Sequence, residues 1–134
     1  MATPATAERI SRALEQTGLK HDAREIESGP QWKVGFEMEG GDPVQILMTA
    51  TDQFAIATAF GGKVDANRYG DLLRINTTLA IAKLAIEEEG YLAVVATLPL
   101  EDMDARHIRI LFGAILAGVR EARRVLDENT AGTA

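Results

Sequence analysis

The side chains able to do acid–base or metal chemistry are few and scattered. The chain has two histidines, His21 and His107, and no cysteine. Neither imidazole has a neighbour at metal-ligand spacing. His107 follows Asp104 by three residues, a helical spacing that gives a surface hydrogen bond rather than a catalytic dyad. Glu87-Glu88-Glu89 offers carboxylates to a cation, but a polar turn between apolar runs accounts for it as a solvated loop. Glu101, Asp102 and Asp104 read as paired carboxylates only until their place in a first helical turn is noticed, where negative charge meets the positive end of the helix dipole. Gly61-Gly62-Lys63 lacks the spaced upstream glycine and the Ser/Thr that complete a phosphate loop. Arg120, Arg123 and Arg124 could grip an acidic partner segment, and as a solvated helix end they need no partner. No catalytic, cofactor or metal set assembles, and the expected protein is not an enzyme.

Composition narrows the classes further. The chain has 134 residues, 46% of them hydrophobic, enough for a single domain spanning 1–134 with its own core. The absence of cysteine removes disulfides and thiol chemistry and fits a reducing, cytoplasmic setting. Twenty acidic against fourteen basic side chains give a net charge of -6. That field repels a phosphate backbone, so nucleic acid is not an expected partner. No apolar run has the roughly 18 residues of a membrane helix, and the first residues do not read as a secretory signal.

The elements that would carry these residues follow from periodicity. Thr3-Pro4 suits a helix start, Ile10, Ala13, Leu14 and Thr17 share one face, and Gly18 suits the residue after the end. His21–Ser28 reads as a connector or weak edge strand. From Gln31 the period becomes two. Trp32, Val34, Phe36 and Met38 alternate with polar residues, and Gly40-Gly41-Asp42 supplies a tight turn. Val44, Ile46, Met48 and Ala50 form the next strand, and Phe54, Ile56, Thr58 and Phe60 the third. This places Trp32, Phe36, Phe54 and Phe60 on one aromatic face and Ala55, Ala57 and Ala59 on the other. A helix of about three turns, capped by Asp65 or Asn67, turns Tyr69, Leu72, Leu73 and Asn76 inward. Residues 1–3 and 129–134 are expected to fray.

The stretch Leu79–Leu126 organises the rest. Leu79–Ile86 and Tyr91–Leu98 read as a hairpin apolar on both faces, and a strand of that kind must be covered on both. A long amphipathic helix follows Pro99, with Ile108, Leu111, Phe112, Ile115, Leu116, Val119, Ala122 and Leu126 in its stripe. Gly113 and Gly118 interrupt it at a cost in helix propensity, which suggests close approach of another backbone. One helix leaves part of the hairpin uncovered. Ile81, Leu84 and Val94, with the small face Ala55, Ala57 and Ala59, are therefore the expected contacts to a partner or second subunit.

The text of residues 76–126 resembles the YbjN family. The resemblance is carried by Asn76 before the hairpin, Leu79-Ala80-Ile81-Ala82-Lys83-Leu84, the Glu89-Gly90-Tyr91-Leu92 turn, and Leu98-Pro99 before the long helix. It implies the fold that this family shares with the type III secretion chaperones, including the Tir chaperone type. That fold is an α+β domain of order α-β-β-β-α-β-β-α, with helices packed against an antiparallel sheet, commonly homodimeric. YbjN-like proteins are generally described as regulators, and secretion chaperones bind an extended segment of a client protein. Two function classes follow. The first is a homodimeric protein-binding module, chaperone-like or regulatory. The second is a small-ligand domain or enzyme with a pocket between the sheet and the last helix.

Overall fold

The computed structural model describes residues 4–38 and 42–132. The helix α1 (Pro4–Thr17) ends at Gly18, whose φ of 75° is the left-handed conformation that glycine accommodates after a helix. Ile10, Ala13 and Leu14 are buried, and Thr17 turns its hydroxyl back onto the Leu14 carbonyl at 2.5 Å. The Thr3 cap, Gly40 and Gly41 of the first turn, and the expected frayed residues 1–3 and 133–134 lie outside the described residues.

Six strands follow, one more than expected. His21–Ile26 is a true strand, β1, an edge paired antiparallel with β2 (Gly29–Glu37). Its polar sequence buries little, so pairing rather than packing holds it. Next come β3 (Pro43–Ala50) and β4 (Phe54–Lys63), joined at a turn where the Thr51 hydroxyl accepts the Gln53 and Phe54 amides. The second helical segment is α2 (Tyr69–Arg74) with 3-10 turns on either side, at Ala66–Arg68 and Ile75–Thr77. It buries Leu72 and Ile75 and leaves Leu73 exposed, which corrects the inward face by a fraction of a turn.

The second hairpin is shorter than its apolar text. Of Leu79–Ile86 only β5 (Lys83–Ile86) pairs with β6 (Tyr91–Pro99), whose other edge pairs with β4, so the sheet order is β1-β2-β3-β4-β6-β5. Leu79–Ala82 is not a strand. There the chain leaves the α2 segment, held by the Lys83 ammonium, which donates to the Asn76 carbonyl at 3.0 Å and the Leu79 carbonyl at 2.6 Å. A 3-10 turn, Leu100–Asp102, leads to the 28-residue α3 (Ala105–Gly132), which runs on past position 129.

The core lies between α3 and one face of the sheet. Ile108, Leu111, Phe112 and Ile115 cluster with Trp32, Ile46, Met48, Ala57, Val94 and Ala96. Phe36 meets Phe112 edge to face, ring centres 5.7 Å apart. Gly118 of α3 explains itself: a Cβ there would stand 2.6 Å from a Val94 methyl, so its absence lets the helix settle on β6. The close neighbour is thus a side chain rather than a backbone, and Gly113 faces open space.

α1 packs on α3 and is pinned at two points. Arg109 of α3 donates to the Thr17 carbonyl at 2.8 Å, and Arg9 donates to the Glu101 carbonyl at 3.0 Å. The Trp32 indole N–H completes the dock by donating to the Ser11 hydroxyl at 3.0 Å.

Candidate protein-binding surface

The aromatic face expected from the sequence is split between the two sides of the sheet. Ladder register pairs Trp32 with Met48, Met48 with Ala57, and Ala57 with Ala96, so the alanines of β4 are the inner set. Phe54, Ile56, Thr58 and Phe60 therefore point away from the helices, with Phe54 41% and Phe60 52% exposed. Because a strand alternates with period two, the choice of inner face decides every residue at once. Small residues win beneath α3 because the helix crosses β4 and β6 closely there.

Among the described residues, that outer face has no helix over it. Charge is absent from its three central strands as far as Phe60: β3 presents Gln45, Leu47 and Thr49, and β6 presents Ala93, Val95 and Thr97, with Lys63 of β4 opposite Tyr91 beyond the register irregularity. Ala93 is buried between its ladder partners Phe60 and Ala85 without belonging to the core cluster. Charged side chains border this patch, Lys33 of β2 opposite Leu47 among them. Arg24 of β1 is spent on Gln31, both donors reaching its carbonyl oxygen at 2.8 and 2.7 Å. Lys83 at the far edge turns its ammonium away to the carbonyls described above. An antiparallel sheet with one wet face ordinarily shows polar residues there. An uncharged, β-branched and aromatic surface on a chain of net charge -6 is what an interface centre looks like, since such centres are depleted of charge and enriched in aromatics.

The expected partner contacts are placed differently. Leu84, Val94, Ala55, Ala57 and Ala59 are buried in the chain's own core, so they have no surface to offer, and their apolar character is explained by α3. Ile81 alone of the six is exposed, at 45%, on the segment before β5. The apolar residues of the outer face that sequence reasoning missed are Phe54, Ile56, Phe60 and Val95. Their signal was Ala-x-Ala-x-Ala in β4 read together with Gly118: small residues on both sides mark where a helix lies close.

The chemistry-bearing residues remain dispersed. Asp104 precedes α3, and its carboxylate accepts the His107 amide at 2.8 Å and meets the His107 ring nitrogen at 2.7 Å. The backbone donor first, and the ring second, hold this carboxyl below its usual value, as an N-cap does. Glu87, Glu88 and Glu89 are exposed at the β5–β6 turn. Among the described residues, no three His, Asp or Glu side chains converge as a metal site would need. No helix there is long and apolar enough to cross a membrane.

At one end of the sheet a cavity of about 270 Å³ opens between β3, β4 and the last turns of α3. It exists because the β3–β4 ladder stops at Ile46–Ala59 although β3 reaches back to Pro43 and β4 on to Lys63. β4 follows β6 instead, with a register irregularity between Phe60 and Lys63.

This architecture, an antiparallel sheet with its helices gathered on one face in the order α-β-β-β-β-α-β-β-α, is the type III secretion chaperone-like fold. The particular likeness is to the Yersinia pestis type III secretion chaperone SycH, solved in complex with a stable fragment of YscM2. The two share 13% identity over 90% of this chain and 98% of that one, with a TM-score of 0.57. No family model and no curated protein sequence matches the chain.

Proposed function

We propose that this protein is a non-enzymatic, chaperone-like binding module that acts as a homodimer and holds a segment of a protein client. The observation that carries this reading is the uncharged patch that β3, β4 as far as Phe60, and β6 present on the outer face. A protein that left it wet would hold Leu47, Phe54, Ile56, Phe60 and Val95 against water for no return. Two further points support the reading: a chaperone of like fold was solved with a protein fragment bound, and residues 76–126 resemble the YbjN family. Ile81, exposed before β5, keeps its part as a partner contact.

Light scattering after gel filtration tests the dimer: a particle of twice 14.5 kDa is expected at micromolar concentration, and a clean 14.5 kDa species refutes it. Affinity capture from the native cell, followed by mass spectrometry, tests the client. One protein captured reproducibly by the native chain and lost with Val95→Lys is expected. Equal capture by both forms removes the outer face from the reading.

A further inference from the structure

We infer that the cavity between β3, β4 and α3 is a binding site for a small amphiphile, an alkyl chain of medium length ending in a carboxylate. This goes beyond the protein-binding reading and does not depend on it. The inner wall is apolar, built by Val44, Leu92 and Val94 of the sheet and by Val119 and Ala122 of α3, while Gln45, Leu47 and Phe60 line the cavity from the outer side of the sheet. The glycines of β4 keep the opening clear: a Cβ at Gly61 would press to 3.2 Å from the Leu92 side chain, while Gly62 has nothing within 4 Å. At about 270 Å³ the space lies just below the usual range of ligand pockets, roughly 300–1,000 Å³, and suits a small occupant.

One charged residue lines it, Arg123. The guanidinium stands 3.6 Å from a carboxylate oxygen of the exposed Asp42, long for an ion pair, and donates to the Met38 sulfur at 3.7 Å. A ligand carboxylate at the cavity mouth would make shorter, charge-assisted bonds to it. An alkylammonium in the same place would meet the like charge of Arg123, while a ligand carboxylate would displace the exposed Asp42 carboxylate from it. The net charge of -6 gives anions no long-range attraction, so selection between head groups rests on Arg123 itself.

The test is calorimetric titration of the full chain with octanoate, octanol and octylammonium. Octanoate is expected to bind saturably and about tenfold more tightly than octanol, with octylammonium weakest. Arg123→Gln should reduce octanoate to the level of octanol and leave octanol unchanged. Ala122→Leu, which fills the cavity, should abolish both. Val95→Lys, on the other side of the sheet, should abolish neither. Absence of saturable octanoate binding overturns the inference, as does octylammonium binding as tightly as octanoate, or Arg123→Gln leaving the order unchanged. Loss of binding with Val95→Lys would overturn it by moving the ligand to the outer face.

Discussion

Asn76 completes the free edge of β5 by acting as a strand partner for Leu84. Its side-chain oxygen accepts the Leu84 amide at 2.7 Å and its side-chain nitrogen donates to the Leu84 carbonyl at 3.0 Å. One carboxamide thus satisfies both backbone groups that a neighbouring strand would have met, at a buried position where leaving them unpaired is costly. Asn76→Ala should cost about 1–3 kcal/mol in urea denaturation and speed hydrogen exchange at the Leu84 amide. Asn76→Asp, which keeps the acceptor but loses the donor, should also destabilise. If Leu84 exchange is unchanged in Asn76→Ala, the edge is protected by something else.

Gly118 leads to a second expectation. Gly118→Ala gains about 1 kcal/mol of helix propensity and loses more by driving a methyl into Val94, so a net loss is expected within the 1–3 kcal/mol typical of overpacking. Gly118→Ala combined with Val94→Ala should cost less than the two single changes together. Strict additivity in that double-mutant cycle would show that the contact carries no energy.

Gly113 is the converse case. It is exposed in the same helix, and a Cβ there would touch nothing within 4 Å. Gly113→Ala should therefore raise the unfolding free energy, by up to about 1 kcal/mol, as read by thermal or urea melting. Destabilisation there would mean that a partner occupies this face of α3.

The Asp104 cap should show in the acid limb of stability. Its carboxyl is held below the usual value by the His107 amide and then by the ring. A carboxyl of depressed pKa stabilises the fold above its unfolded pKa, and that contribution fades as pH falls through the folded value. Melting temperature should thus drop more steeply below about pH 4 in the native chain than in Asp104→Asn. Parallel acid limbs would show that the carboxylate contributes nothing as an ion.

The outer face is tested most directly at Val95, half-buried at its centre. Val95→Lys should keep the monomer folded, costing no more than about 1 kcal/mol of strand preference. Under the proposed dimer it should also halve the mass seen by light scattering. An unchanged dimer places the interface elsewhere, with Ile81 the next position to charge.

Much of the architecture was legible because it is written in periodicity. The inner faces of β2 and β3, Trp32 to Met38 and Val44 to Ala50, follow from strict alternation, and the α3 stripe from spacings of three and four. β4 defeated the same rule, since Phe54 and Phe60 outweigh three alanines on any hydrophobicity scale. The alanines are inside because of where α3 lies, a fact of tertiary distance that one strand cannot state. Leu79–Ala82 misled for a related reason: its apolar text suits a strand, but the Asn76 and Lys83 bonds to nearby backbone close a different local structure. The candidate surface was therefore the least legible part, because a partner-facing residue and a core residue look alike until the helices are placed.

The two arginine anchors of α1 carry a consequence for how the chain is made. Arg9 and Arg109 join carbonyls that lie ninety-two positions away along the sequence. On the ribosome α1 emerges before the sheet, and the helix that covers it emerges after the sheet. Ile10 and Leu14 must wait, lacking that cover, through the synthesis of the whole sheet. Contacts of such sequence separation slow folding and expose apolar surface meanwhile. Pulse-labelled hydrogen exchange during refolding should find α1 protected together with α3, and earlier protection would contradict this order. For a protein that we read as a guardian of another chain's unfolded segment, its own first helix passes through that same vulnerable interval.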